Sequence, residues 1–458
     1  MTGYTREKLC QFLDDWLAFR SSQRLIPGFS VAVSANEEII YRGAFGFADI
    51  PAQRFLNTED IFCIGSQSKM LTGILAMQLT EENRLHLHDR AADYLPWLKQ
   101  HDDERFRYIT IQQLLWHGSG LVRDGSNADF WQLMSPFPDE ESLRRLVLNS
   151  TLVADSGRDT KYSNVGYALL GQIIEAASGE SYQQCATTRI IAPLQLKNTF
   201  VDYDEAHDHC IATGHTRHIG GQRTVVSRAL PVHAYASVTG WYSTPADMAT
   251  IMIALYGDGE RLIAQANRDI LFYGLHAHWR KSTVSRSDYG LGFIQQEFDG
   301  EHLVGHSGGF AAHRTCSYFM PSRHVGVSLM TNSNDAPLNE IMAGILGVIA
   351  YFSLHLGATA DPRLEKFDAI LENFLGAKRI TVLGDSITSV PLDDWSPFES
   401  VEYLSITGQN TLKTIRSHFL DTSDESIIYS FRQGKITSVN YAGQTTWPRH
   451  VFLENYKP

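Results

Sequence analysis

Near the start of the chain the apolar positions Leu9, Phe12, Leu13, Trp16 and Leu17 recur at the spacing of one helical face, which predicts an amphipathic helix over Arg6–Arg20. The period then changes. Pro27–Ser34 (P-G-F-S-V-A-V-S) and Ile39–Ala48 (I-I-Y-R-G-A-F-G-F-A) are rich in β-branched and aromatic residues and flank the polar turn A-N-E-E, so they predict a hairpin. Helical spacing returns from Ser66, with Met70, Leu71, Ile74, Leu75, Met77 and Leu79 running towards Glu82. Leu85 to about Thr199 reads mostly as helix, broken by loops rich in Gly, Asp and Pro. Thr244-Pro245-Ala246-Asp247 carries the marks of a helix start: a Thr cap, Pro at the first position and an acid in the first turn. Strand patterning reappears between Tyr289 and Thr331, and a long apolar helix follows from about Ala336 to Leu356. Its apolar run, Ile341–Phe352, is well short of the roughly 20 residues of a membrane span, so it predicts a buried helix. Helix and hairpin near one end, with strands and a helix near the other, imply one α+β sheet assembled from both ends of the chain around an inserted helical region.

Gly357–Arg363 (G-A-T-A-D-P-R) has the small residues and proline of a linker. A helix over Leu364–Leu375 is predicted next, then short alternating segments (I-T-V-L, S-V-E-Y-L-S-I, S-I-I-Y-S-F, I-T-S-V-N-Y) divided by turn residues. The expected domains are therefore residues 1–356, a linker at 357–367, and a small β-rich C-terminal domain at 368–458.

Composition narrows the function classes. The 458 residues are 43% hydrophobic and 20% charged, which is globular. Lys and Arg number 39 against 51 Asp and Glu, a net charge of −12, and this balance disfavours nucleic acid and anionic membrane as partners. The N-terminus carries acids inside its apolar stretch and lacks a signal-peptide pattern, so a cytoplasmic protein is expected. Five scattered cysteines without a C-x-x-C pair read as free thiols in a reducing compartment. The histidines show no metal-ligand spacing, and neither metal nor cofactor is expected.

The chemistry concentrates in three short motifs. In F-C-I-G-S-Q-S-K-M (Phe62–Met70), Ser66 and Lys69 lie one helical turn apart. A serine needs a neighbouring base or a stabilising field to act as a nucleophile. A lysine whose pKa is depressed by burial, and the positive potential of a helix N-terminus, supply both. The same residues also suit a plain helix start capped by Ser66. Tyr162-Ser163-Asn164 stands at the mouth of an apolar helix. It reads either as a turn with Asn164 as cap, or as a phenol that shares or loses its proton beside Lys⁺ while Asn164 orients a substrate amide. His306-Ser307-Gly308-Gly309 follows the strand H-L-V-G, and its glycines suit either a β-bulge or a backbone that must be approached closely. A second H-x-G, His218-Ile219-Gly220, lies in a polar loop without a strand and is set aside.

In the order S-x-x-K, Y-x-N, H-x-G, the chain resembles the serine hydrolases of the class C β-lactamase and D-peptidase group, which includes D-aminopeptidases, carboxylesterases and penicillin-recognising enzymes. The resemblance extends through I-P-G-F-S-V-A-V, G-F-A-D, I-T-I-Q-Q-L-L-W-H-G-S-G-L, Y-S-N-V-G-Y-A-L-L-G-Q-I-I-E and Y-S-T-P-A-D-M, over about Leu25 to Asn334. It implies a β-lactamase/penicillin-binding-protein-like fold: a mainly antiparallel sheet flanked by helices. It implies Ser66 as the acylated nucleophile, Lys69 and Tyr162 as the proton-handling pair, Asn164, His306 and Gly308 as substrate-binding, and the backbone N–H groups of Ser66 and Gly309 as the oxyanion hole. His117, in the W-H-G-S-G-L turn, is expected to stabilise that turn. Lactamases of the group usually carry K-T-G where this chain has His306-Ser307-Gly308, and a histidine is mostly neutral near pH 7, so β-lactam turnover is disfavoured.

The resulting expectation is a peptidase or amidase acting through an acyl-enzyme on a small-molecule or short-peptide substrate. The rivals are a carboxylesterase or acyltransferase with the same serine, and a catalytically silent ligand-binding protein of the same fold. By analogy with two-domain members, the C-terminal domain is expected to cap the site or to bring subunits together as a homo-oligomer. Ile380–Ser389 imitates the first block of the GDSL esterases around Ser386, but too little chain follows it for such a domain, so it reads as turn structure.

Overall fold

The computed structural model describes residues 2–23, 26–226, 230–257, 261–273, 277–281, 286–298, 300–417 and 424–456. By its internal contacts the chain forms two compact units, residues 26–338 and a second made of 1–25 with 339–458.

In the first unit, β1 (Gly28–Ala35) and β2 (Glu38–Asp49) form the expected hairpin, and Asn36 and Glu37 at its tip both have positive φ, the conformation of the tight turns that match strand twist. With β3 (Arg54–Phe55) they make one edge of a nine-stranded sheet; β4 (Phe62–Cys63), β5 (Phe200–Val201) and β6 (Trp241–Ser243) form a separate three-stranded sheet. The large sheet continues through β7 (Ala277–Lys281), β8 (Arg286–Tyr289), β9 (Ile294–Phe298), β10 (Glu301–Phe310), β11 (His313–Met320) and β12 (Val325–Thr331), in the order β3-β2-β1-β12-β11-β10-β9-β8-β7. The two ends of the unit meet where β1 pairs antiparallel with β12, from Phe29↔Thr331 to Ala35↔Val325. Both strands are buried along nearly their whole length, which explains their near-continuous apolar sequences.

Between the ends lies the helical region, built on α2 (Ser68–Glu81) and α3 (Asn164–Ser178), which pack on each other. The following α4 (Pro245–Tyr256) lies on β1 and β12. Its start is as the sequence predicts: the Thr244 side chain accepts from the Asp247 N–H at 3.2 Å with Pro245 at the first position. This is the α+β, β-lactamase/penicillin-binding-protein-like arrangement.

The second unit combines α1 (Gly3–Gln23), α5 (Leu338–Ser353) and a closed antiparallel barrel of strands from Ala369–Asn373 to Gln444–Pro448. Two expectations change here. The compact unit takes in the first helix and α5, so it does not coincide with the boundary expected at residue 356. Phe12 packs on Phe352 and Phe398, and Trp16 on Trp395, so these helices bury their apolar faces against each other and the barrel. The helix predicted over Leu364–Leu375 shrinks to Pro362–Glu365 and gives way to a strand at Ala369–Asn373. Leu364, Phe367 and Leu371 are spaced like a helical face, but all three enter the barrel core, and Leu371 and Glu372 pair with Pro448 and Trp447 to close the barrel. The GDSL-like segment is a hairpin turning at Gly384-Asp385, in keeping with its reading as turn structure.

Asp368 ties the unit together. Its carboxylate accepts from Lys8 Nζ at 2.8 Å and from the buried Arg379 guanidinium, which also lies 2.9 Å from Asp15 of α1. Removing one partner of a buried ion pair strands the other charge. Asp368→Ala is expected to cost about 3–5 kcal/mol of unfolding free energy in denaturant melts; a loss below about 1 kcal/mol would show that Lys8 and Arg379 find other partners or water.

Candidate active site

The nucleophile candidate sits on a turn that β6 and β11 hold in place. Phe62 and Cys63 pair with Ser243 and Tyr242, the Cys63 N–H donates to His313 Nδ1 at 2.9 Å, and Thr315 Oγ1 of β11 donates to the Ile64 carbonyl at 2.9 Å. Gly65, Ser66 and Gln67 then form a single 3-10 turn that runs into α2. Ser66 does not cap this helix through its side chain. The adjacent Ser68 does the local bonding instead, donating from Oγ to the Gly65 carbonyl at 2.7 Å and accepting from the Trp241 N–H at 3.2 Å. The Ser66 hydroxyl is thereby left for other partners.

Those partners are Lys69 and Tyr162. Lys69 Nζ lies 3.1 Å from Ser66 Oγ and 3.0 Å from the Val238 carbonyl, and the side chain is completely buried. The Tyr162 hydroxyl donates to Ser66 Oγ at 2.9 Å. Burial holds the Lys69 amine well below its ordinary value, with the Arg123 charge pushing the same way and Asp124 opposing. Burial likewise holds the Tyr162 phenol above its ordinary value, against the hydrogen bond to Ser66. Both charged forms, the Lys69 ammonium and the Tyr162 phenolate, are thus disfavoured in this low-dielectric site; the depressed lysine agrees with the sequence reading, and the phenolate alternative for Tyr162 does not fit. A neutral Nζ has a lone pair to accept the Ser66 O–H while one of its own N–H groups donates to Val238.

Asn164 is the first residue of α3 and not its cap: Ser163 Oγ accepts from the Gly166 N–H at 3.0 Å. The Asn164 amide donates to Asp124 Oδ1 at 2.8 Å, leaving its own carbonyl oxygen buried and without a protein partner. Asp124 also accepts from Trp131 Nε1 at 2.8 Å and lies 3.2 Å from Arg123 Nε. Sequence reading missed this carboxylate; R-D directly after the G-L-V turn is a signal only once α3 is known to land there.

On the opposite wall, pairing of β10 with β9 ends at Gly305↔Ile294 while pairing with β11 runs on to Phe310↔His313. Residues 306–310 thus form a free strand edge, with Ser307 and Gly309 exposed. A Cβ on Gly308 would lie 1.9 Å from the Ile64 carbonyl oxygen, and one on Gly65, whose φ is +57°, would lie 2.5 Å from the Gly309 N. The strand backbone and the nucleophile turn touch directly, which brings Gly309 and Ser66 together. His306 differs from expectation. Its ring is buried, with Nε2 3.1 Å from the Tyr289 hydroxyl and Nδ1–H donating to the Ser307 carbonyl, so both nitrogens are engaged inside the protein and not turned to a substrate. Burial, with Lys69 adding to it, pushes its pKa down to about 3.

His117, in a left-handed conformation at φ +62°, accepts the Ser163 N–H on Nδ1 at 3.1 Å and packs its ring 4.2 Å from Tyr162 and 4.5 Å from Tyr289. It holds the turn as expected and also buttresses the Tyr162 ring.

The family model described as Beta-lactamase matches residues 9–347. "Protein flp" of Staphylococcus aureus (strain MW2) is 27% identical over 319 residues, covering 68% of this chain and 60% of the relative, so the chain spans about three-fifths of that relative's length. Among solved structures, the octameric penicillin-binding protein homologue from Pyrococcus abyssi aligns with a TM-score of 0.66 at 20% identity, over 95% of this chain and 99% of the other. The D-amino acid amidase from Ochrobactrum anthropi SV3, complexed with L-phenylalanine amide, aligns at 0.63 and 20% identity, over 76% and 99%. These structural likenesses establish the fold.

The buried histidines generate a pH dependence of stability. His306 and His313 titrate near 3 and 4 in the fold against 6.5 when unfolded. Below about pH 6.5 the unfolded chain takes up protons that the fold refuses, so stability is present above that pH and lost as pH falls. A histidine that stays neutral accounts for about 2 kcal/mol of loss between pH 7.5 and 5.0. Urea melts at the two pH values are expected to show this, and His306→Gln to lose its share; an unchanged difference in that variant would mean His306 already titrates normally.

Proposed function

Because the chain belongs to the Beta-lactamase family of serine hydrolases, we propose that it is an amidase or peptidase that works through an acyl-enzyme at Ser66. The observation that carries this reading is the position of Ser66 Oγ, 3.1 Å from a buried lysine amine and 2.9 Å from a phenol. As Oγ attacks the substrate carbonyl, its proton passes to the neutral Lys69. The oxyanion is received by the backbone N–H groups of Ser66 and Gly309, which the contact between the turn and β10 brings together. Tyr162 gives its proton to the departing nitrogen and recovers one from Lys69. Water then attacks the acyl-enzyme by the reverse route, and Ser66 is reprotonated. Asn164 orients the substrate with its unpartnered carbonyl oxygen, and His306 acts through the strand it braces.

The molecule is proposed to act in the cytoplasm on small-molecule or short-peptide substrates; among the described residues no helix is long and apolar enough to cross a membrane. Self-association is proposed from the exposed Phe374, Leu375, Leu453 and Tyr456 of the second unit, together with the octameric state named for the Pyrococcus homologue.

A fluorophosphonate is expected to label Ser66 in the wild type and to leave Ser66→Ala unlabelled, as read by mass spectrometry of the intact chain. An activated ester has a leaving group that needs no proton, whereas an amide nitrogen does. Tyr162→Phe is therefore expected to lower amide turnover by about 10²–10⁴-fold and p-nitrophenyl ester turnover by much less. Equal losses on both would mean that Tyr162 does not protonate the leaving group. Acylation is expected to fall tenfold per pH unit once Lys69 protonates and to show no loss between pH 8 and 9.5, since its value lies well below 10.5; a rate still climbing through pH 10 would contradict the neutral-amine assignment.

A further inference from the structure

Two charged side chains flank Tyr162 without giving or taking a proton in the proposed reaction. Arg123 is 66% exposed at its side chain, its guanidinium carbon lies 5.7 Å from the centre of the Tyr162 ring, and that phenol lies 2.9 Å from Ser66 Oγ. Its backbone is fixed: the Arg123 carbonyl accepts the N–H groups of Asn164 and Val165 at 2.9 and 3.1 Å, and the neighbouring Val122 carbonyl accepts from Ser163 Oγ at 2.7 Å. Its side chain is aimed through Nε by Asp124, whose carboxylate is also held by Asn164 and Trp131. The terminal amino groups NH1 and NH2 make no hydrogen bond to the described residues. Lys161, next to Tyr162 in the chain and half-exposed, adds a second cation without an ion-pair partner among them.

From these positions we infer that the site selects substrates bearing a carboxylate, held by Arg123 beyond the Tyr162 side of the scissile bond. The inference rests on Ser66 being the acylated residue. Among the described residues the only carboxylate in contact with Arg123 is Asp124, and three donors already surround it, so the two outward N–H groups form a planar fork left for an anion. The placement matters because the chain as a whole carries −12, which repels anions at long range, while this mouth carries positive charge. The guanidinium carbon is 5.7 Å from the centre of the Tyr162 ring, whose hydroxyl is 2.9 Å from Ser66 Oγ, so one aromatic ring separates the cation from the nucleophile. The favoured substrate is thus short, with its carboxylate on the leaving group. A purely structural role for Arg123, stacking on Tyr162, would make no distinction between charged and neutral substrates.

The test compares 4-acetoxybenzoate, whose leaving group carries a carboxylate, with its methyl ester, whose leaving group does not, on the full chain; both deliver the same acetyl group to Ser66. The wild type is expected to favour the acid by about tenfold in kcat/KM at low salt, and less at 0.5 M salt. Arg123→Gln is expected to abolish this ratio, Arg123→Lys to keep part of it, and Arg123→Glu to invert it. Acylation of Ser66 by both esters with no preference, or with a ratio untouched in Arg123→Gln, would overturn the inference and leave the nucleophile in place. If mass spectrometry finds no Ser66 adduct from either ester, the reading of Ser66 falls and the inference with it.

Discussion

The site depends on one steric contact, the passage of β10 against the turn that carries Ser66. Two backbones approach there so closely that neither Gly65 nor Gly308 has room for a Cβ. The contact joins elements far apart in the chain, and it does so without side chains, so its geometry is rigid and unaffected by rotamer choice. It is stabilised from outside by Thr315 bonding to Ile64, by His313 bonding to Cys63, and by the pairing of Phe62 and Cys63 with β6. Since β10 and β11 pair in register from Val304↔Phe319 to Phe310↔His313, the position of the turn is set by the whole large sheet. That sheet is closed in turn by the pairing of β1 with β12. A free strand edge beside a fixed hydroxyl follows from where β9 ends.

A second consequence is electrostatic. Packing the turn against β10, β11 and residues 236–239 removes water from Lys69, and its amine is met by a backbone carbonyl, a hydroxyl and the rings of Tyr162 and Tyr167. Among the described residues no carboxylate is in hydrogen-bond contact with it. Asp124, the nearest acid acting on it, is occupied by Asn164, Trp131 and Arg123. The fold thus gives Lys69 a hydrogen-bonded place without a counter-charge, which is the condition for a lysine to rest as a base. His306 belongs to the same balance. A protonated side chain at that position would place a positive charge near Lys69, whereas a neutral imidazole bonded to Tyr289 and Ser307 adds none.

Much of this was legible in the sequence where the signal is local. Ser66 and Lys69 meet because residues three apart share a helical face, and the A-N-E-E turn fixes its hairpin. The one-sheet topology followed from strand patterning at both ends of the first unit. What was not legible is non-local. Asp124 reaches Asn164 across 40 residues and Tyr289 reaches His306 across 17, and nothing in their neighbours' pattern announces either contact. The strand at Ala369–Asn373 was hidden for the same reason: its apolar spacing fits a helix, and only the long-range pairing of Leu371 with Pro448 makes it extended. A lysine depressed by burial was foreseen at Lys69, whereas the phenolate alternative for Tyr162 fails because motif spacing says nothing of how deeply that ring is buried.

The barrel of the second unit follows a different logic from the apolar core of the first. Alternate residues of its strands fill the interior with Ile380, Val382, Leu404, Leu412 and Val439, yet at one end Glu402 sits inside with Tyr441 bonded to it and Lys378 Nζ at 3.0 Å. An ionised carboxylate there would be costly without both partners, because desolvation outweighs a single contact. Lys378 therefore does two jobs, neutralising Glu402 and lying 4.3 Å over the Tyr441 ring, which fixes that ring against the strand carrying Ser389. An all-apolar plug would be indifferent to register, whereas polar groups that must meet, Glu402 with Tyr441, Lys378 and Ser417, favour the alignment that brings them together. Since a slip by one residue would turn Glu402 outwards and leave Tyr441 unbonded, the network selects the register in which the barrel closes.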